Sequence, residues 1–129
     1  MSFDAALSWL WKLLSLCRDV QVTSHQGRFP DRNLDCYFVT VRNCSPYRKA
    51  VIVEVWFDVG IRIPVLNSER PLPKVLPAEE VWETWIPLQA LPQAHRANAE
   101  TLARVKLSDG KIIKAKINPD VSPAGHVPA

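Results

Sequence analysis

Two runs of β-branched and aromatic residues, at positions 35–43 and 50–59, limit what this chain can fold into more than any other feature. The first reads Asp-Cys-Tyr-Phe-Val-Thr-Val-Arg-Asn, the second Ala-Val-Ile-Val-Glu-Val-Trp-Phe-Asp-Val, with Ser45 and Pro46 in the polar break between them. Such residues fit a pleated, half-buried surface, and a Ser-Pro break marks a turn. In the first strand Tyr37, Val39 and Val41 share one face, and Phe38, Thr40 and Arg42 the other. In the second, strict alternation groups Val51, Val53, Val55 and Phe57 against Ile52, Glu54, Trp56 and Asp58, with Glu54 and Asp58 expected in water.

The rest of the chain extends this pattern. Residues 20–24 alternate and predict a first strand, while residues 25–33, with Gly27 and Pro30, read as a loop. Residues 61–65 predict a short edge strand, because Pro64 cannot donate inside a sheet. Residues 67–78 hold Pro71, Pro73 and Pro77 and predict an extended, polyproline-like connection. Residues 80–88 form another strand, on which Trp82 and Trp85 have opposite parity, so one faces the core and the other faces outward. Residues 93–100 fit a helical turn or two.

Residues 102–107 and 111–117 form a hairpin. A two-residue Asp-Gly loop would mix its faces. A three-residue loop with Gly110 left-handed pairs Val105 with Ile113 and Ala103 with Ala115, and gathers Arg104, Lys106, Lys114 and Lys116 on the opposite face. About seven strands separated by turn signals is the pattern of an all-β, immunoglobulin-like sandwich.

Ahead of the sandwich, residues 1–19 read as an amphipathic α-helix. Phe3, Leu7, Leu10, Leu14 and Cys17 recur at helical spacing, with Asp4, Ser8, Lys12 and Ser15 opposite. Trp9, Trp11, Leu13 and Leu16 widen the apolar face beyond an ordinary core stripe. The run is shorter than the roughly 20 apolar residues a membrane-spanning helix needs, and it lacks the basic start and small-residue cleavage site of a signal peptide. The division expected is helix 1–19, sandwich 20–117 and Pro-rich tail 118–129.

Composition narrows the function classes. A chain of 129 residues is one domain, long enough to bury a core without metals or disulfides. A hydrophobic fraction of 47% with 22% charged residues belongs to an ordinary globular protein. The net charge of +3 is too small an excess to argue for nucleic acid. Three cysteines, Cys17, Cys36 and Cys44, have no metal-ligand spacing, and an odd count argues against a disulfide framework. Cys36 and Cys44 sit at opposite ends of one strand, too far apart to bridge. A reducing cytoplasm is the simplest home. Asn43, Cys44 and Ser45 match the glycosylation triplet, a pattern common by chance.

The strand end Val-Thr-Val-Arg-Asn-Cys-Ser at residues 39–45 resembles the V-x-V-x-N-x-S/G strand end of bacterial immunoglobulin-like domains. Leu76, Pro77, Ala78 and Glu79 resemble their L-x-P-G-E entry into the next strand, with Ala78 where glycine is usual. Asn67, Arg70, Pro71, Leu72 and Pro73, followed by Trp82, Glu83, Thr84 and Trp85, also resemble a group of small uncharacterised bacterial proteins. The resemblance covers residues 20–117 and implies a fold; its motifs are structural and carry no activity.

Four features compete for a role, each against a structural reading. The helix face carrying Leu7, Leu10, Trp11 and Leu14 suits a protein partner, a second copy or a membrane surface; it also suits packing on its own sandwich. An outward Trp85 suits a partner contact, because Trp is enriched at binding hot spots; a loop could equally cover it. The basic hairpin face reads best as a solvated sheet surface, since no aromatics interleave on the hairpin to stack bases. Residues 70–74, Arg-Pro-Leu-Pro-Lys, read best as a rigid crossing between sheets, with Arg70 paired to a carboxylate such as Glu83. His25, His95 and His126 fall in separate loops, and no nucleophile elbow, phosphate loop or paired-carboxylate motif occurs. The sequence therefore predicts a non-catalytic interaction module without cofactor or metal, cytoplasmic, with a peripheral membrane protein anchored by the same helix as the alternative.

Overall fold

The computed structural model describes residues 19–116; the helix expected at residues 1–19 falls almost wholly, and the Pro-rich tail expected at 118–129 wholly, outside them. Eight strands form two antiparallel sheets: β1 Val20–Phe29, β2 Leu34–Asn43, β3 Ala50–Asp58, β4 Arg62–Pro64, β5 Lys74–Leu76, β6 Val81–Pro87, β7 Ala103–Leu107 and β8 Ile112–Lys114. One sheet has the order β1-β2-β6. The other has the order β4-β3-β7-β8, with β5 also paired to β3. Both the all-β class and the helical character expected near residue 93 hold, the latter as a 3-10 helix at Gln93–Thr101.

Alternation builds the core. Val22, Tyr37, Val39, Val41, Trp82 and Ile86 from the first sheet meet Ile52, Val55, Phe57, Val105 and Leu107 from the second, all buried. The Tyr37 ring meets Phe57 edge-on at 6.0 Å, and its hydroxyl donates to the Arg96 carbonyl of the 3-10 helix. After β8 the chain crosses between sheets: Ala115 N–H bonds Ala103 at 3.0 Å, and Lys116 N–H bonds Val22 at 3.0 Å.

The hairpin register follows the apolar-face argument. Val105 opposes Ile113 and Arg104 opposes Lys114, and Gly110 takes φ 92° in a loop closed by Gly110 N–H to Leu107 at 3.0 Å.

Three local expectations are corrected. The register of β3 against β7 shifts between Ile52 and Glu54. This bulge breaks the alternation, so Ile52 joins Val55 and Phe57 in the core while Val51 and Val53 stay half-buried. Glu54 and Asp58 are exposed as expected. The first strand does not stop at Ser24 but runs to Phe29, paired along its length with β2. Gly27, which reads as a loop residue, lies within that strand under Phe38: a β-carbon there would stand 2.6 Å from Phe38 Cε2. Finally, the Pro-rich connection contains β5, whose Val75 opposes Val51.

The turn from β2 to β3 hangs on one buried amide. Asn43 is 1% exposed. Its Nδ2 donates to the carbonyls of Arg48 at 2.7 Å, Leu76 at 3.1 Å and Pro77 at 3.2 Å, and its Oδ1 accepts from Ser45 N–H at 3.1 Å. An amide this enclosed cannot receive a glycan, so the glycosylation triplet is structural.

Cys44 is disulfide-bonded, whereas Cys36 is a free, buried thiol. An odd cysteine count argues against a disulfide framework; it does not preclude a single bonded cysteine such as Cys44. Burial, followed by the nearby Asp35 carboxylate, pushes the Cys36 thiol above its ordinary range. A raised pKa means less thiolate at neutral pH, so Cys36 should react with iodoacetamide on the order of tenfold more slowly in the native chain than after unfolding. Comparing labelling rates in native buffer and in denaturant checks this.

Candidate functional site

The register of β2 against β6 settles the parity of the two tryptophans. Val41 opposes Trp82 on the core side, and Phe38 opposes Trp85 on the outer side. Trp82 is buried in the core. Trp85 is half-buried on the outer face of the three-stranded sheet, as a candidate contact residue requires.

Trp85 does not stand alone there. Cross-strand rows place His25, Phe38 and Trp85 side by side. His25 stacks on Phe38 with centroids 5.3 Å apart, Phe29 leans on Phe38 at 5.2 Å, and Phe29 meets Trp85 edge-on at 5.0 Å. Phe38 is 8% exposed and Cys36 is fully buried although both point away from the core. The outer face thus carries a small apolar cluster of its own, with Phe38 at its centre. Each such aromatic pair adds about 0.5–1.5 kcal/mol beyond area burial.

Two arginines border the cluster. The Arg70 guanidinium lies 4.9 Å from the Trp85 ring centroid, and its Nε donates to the Glu83 backbone carbonyl at 3.0 Å. Arg70 therefore bonds the main chain of Glu83, not its carboxylate, and satisfies an acceptor on the outer strand β6. The Glu83 carboxylate instead accepts from Thr40 at 3.2 Å. Arg32 lies 5.0 Å over the Phe29 ring and grips Glu69 with two bonds of 2.9 Å. These bonds hold the Glu69 carboxyl below the usual carboxylate range. The loop containing Glu69 and Arg70 is thereby clamped beside the aromatics, leaving part of Trp85 accessible.

Beside this loop runs an open groove of about 700 Å³, lined by Arg70, Pro73, Lys74, Val75, Val81 and Glu83. Val75 and Val81 are 50% and 56% exposed. A second, more apolar hollow of about 520 Å³ opens on the other sheet, among Val53, Trp56, Pro64, Leu66 and Leu72. There the Arg62 guanidinium sits 4.2 Å over Trp56 and pairs with Glu54 at 3.3 Å. Arg104 and Lys114 share the neighbouring row, and Trp56 opposes Arg104. An aromatic therefore does adjoin the basic face, but it is almost completely buried and offers no ring for stacking.

Leu7, Leu10, Trp11 and Leu14 lie outside the described residues. Phe29 and Phe38 were not singled out in sequence, although the outward parity of Phe38 was legible; their union with Trp85 depends on the long β1. Among the described residues, no group of three or more His, Cys, Asp or Glu side chains is placed to hold a metal ion, and no helix is long and apolar enough to cross a membrane. No protein-family model matches the chain, and neither a curated protein nor a solved structure matches it.

Proposed function

We propose that this chain is a non-catalytic interaction module: an immunoglobulin-like sandwich that binds a partner protein or a second copy of itself. The contact is made through the N-terminal amphipathic helix, with Leu7, Leu10, Trp11 and Leu14 on its apolar face, and through the outer patch at Trp85. The observation that carries this reading is the half-buried Trp85, held in a prearranged cluster with Phe29 and Phe38 and flanked by Arg70 and Arg32. Interface hot spots favour Trp and Arg in such rigid settings, because little side-chain freedom is left to lose on binding. The strand order, three strands facing a sheet built on β3 and β7, supports the immunoglobulin-like reading.

The two faces are complementary in what they need. Each large apolar side chain contributes roughly 1.5–3 kcal/mol when fully buried, so an unburied face of four such residues would be a strong driver of association. Residues 19–116 contribute a contiguous core of their own between the two sheets.

Substituting Leu10 and Leu14 by Glu in the full chain separates the classes. We expect the unfolding free energy to stay within about 0.5 kcal/mol of the parent, as for surface changes, while assembly measured by light scattering is lost. Retained assembly with lost binding to anionic vesicles would replace the protein partner by a membrane surface. A loss of several kcal/mol in the monomer would place the helix in its own core and remove it from the proposal.

A further inference from the structure

We propose that the outer edge of β6 takes up an extended peptide segment of a partner protein as an added antiparallel strand. This goes beyond the interaction reading above, because it requires neither the N-terminal segment nor contact with the Trp85 ring.

The register decides which main-chain groups are free. Asn43 N–H donates to the carbonyl of Glu80, just ahead of β6, at 2.9 Å. The even-numbered residues of this strand therefore turn their main chain toward β2, and Val81, Glu83 and Trp85 turn theirs away from it. The bond from Arg70 Nε to the Glu83 carbonyl at 3.0 Å has the same direction. β6 pairs with β2 alone, and among the described residues no strand or loop bonds the three outward N–H groups.

The other edges are covered or blunted. β1 is held at Val22 by Lys116 and lies against the 3-10 helix at Gln93–Thr101. β8 is three residues long and sits among Lys111, Lys114 and Lys116. β4 and β5 are also three residues each, beside Pro64 and Pro73. Short length, lysine and proline all discourage strand pairing. β6 has seven residues, no lysine and a proline only at its last position, and it exposes Val81.

Shape and charge define the occupant. The groove of about 700 Å³ runs beside this edge, with Pro73, Val75 and Trp82 in its lining, so the peptide residues turned toward it are apolar. The intervening residues lie on the outer face, where one stands opposite Glu83. The Glu83 carboxylate accepts from Thr40 and makes no ion pair among the described residues. A Lys or Arg opposite it is the complementary choice, since opposite charges across a strand pair attract. β6 itself carries neither, so a second copy pairing edge to edge cannot supply that charge. Arg70 is the built-in competitor, because its Nε occupies the carbonyl that an added strand would use.

The test titrates the full chain, labelled with nitrogen-15, with the blocked peptide acetyl-Thr-Val-Lys-Val-Thr-amide, which sets its Lys opposite Glu83 and its two Val toward the groove. With peptide on the order of 1 mM, the weak end of specific association, the amides of Val81, Glu83 and Trp85 should shift together and exchange with deuterium on the order of tenfold more slowly. Arg70→Ala should tighten binding about 2–10-fold, the worth of one hydrogen bond no longer displaced. A side-chain contact at Trp85 would instead weaken when Arg70 is lost, so the two readings fail separately. The same peptide methylated on its Lys amide should not bind. Val81→Pro, at the first position of the strand where proline is tolerated, should lose binding while thermal unfolding stays cooperative. Unmoved amides at Val81, Glu83 and Trp85, equal binding of the methylated peptide, or unchanged binding to the Val81→Pro chain would each overturn the proposal.

Discussion

Replacing Asn43 by Asp should destabilise the fold by more than replacing it by Ala, even though Asp is the closer match in shape. The Asn43 amide faces three carbonyl oxygens, from Arg48, Leu76 and Pro77, at 2.7, 3.1 and 3.2 Å. It therefore links the turn after β2 to the segment between β5 and β6, and the Asn43 N–H adds a bond to Glu80 at 2.9 Å. Alanine leaves these acceptors and the Ser45 N–H without the side chain, at roughly 1–3 kcal/mol for each buried group left unpaired, so a loss of about 3 kcal/mol is expected. Aspartate adds a buried charge turned toward carbonyl oxygens. The chain escapes that cost only by keeping the carboxyl protonated, which raises its folded pKa above the unfolded value of about 3.9. A group that binds its proton more tightly when folded costs least below the unfolded pKa, and the cost grows as pH rises. Denaturant unfolding of the Asp variant should therefore approach the Ala variant near pH 4 and fall below it near pH 7. Equal stability of the two at pH 7 would contradict the account of this amide.

The second large effect is a reversal of sign. Replacing glycine by alanine in a strand ordinarily stabilises by about 0.5–1 kcal/mol, by removing freedom from the unfolded chain. At Gly27 the added carbon would stand 2.6 Å from Phe38 Cε2 and 2.8 Å from Cδ2. The ring cannot yield easily, because His25, Phe29 and Trp85 surround it. Gly27→Ala should therefore cost about 1–3 kcal/mol through overpacking. In a Phe38→Ala background the obstruction is gone, and the same change should become neutral or stabilising by up to about 1 kcal/mol. A double-mutant cycle by denaturant unfolding measures this coupling directly. Independent, additive effects would mean that Phe38 does not organise the outer face.

Much of the fold was legible because alternation and turn chemistry agree. The first sheet's inward set of Tyr37, Val39 and Val41 needed only period two, and the loop at residues 108–110 needed only the demand for one apolar hairpin face. What escaped the sequence arises from contacts between distant residues. Ile52 is in the core because a bulge shifts the alternation, and Ile and Val are equally at home on either side of a strand. Gly27 weakens a strand pattern unless an aromatic covers it, and Phe38 is eleven positions later. The strand β5 is three residues long among prolines, below what composition resolves. For the site, opposite parity of Trp82 and Trp85 was legible, while the choice between them rested on the register with β2. The bonded Cys44 escaped because a cysteine count does not say which thiols are bonded.

The central claim is that residues 20–116 close their own core and leave the helix face for a partner. The most direct measurement compares the full chain with a chain beginning at Val20, by light scattering after size exclusion and by thermal unfolding, both in reducing buffer. The account predicts a folded, monomeric shorter chain and a full chain that self-associates or takes up a partner through the added segment. A shorter chain that fails to fold, beside a full chain that is a stable monomer, would contradict it and make the helix part of the core.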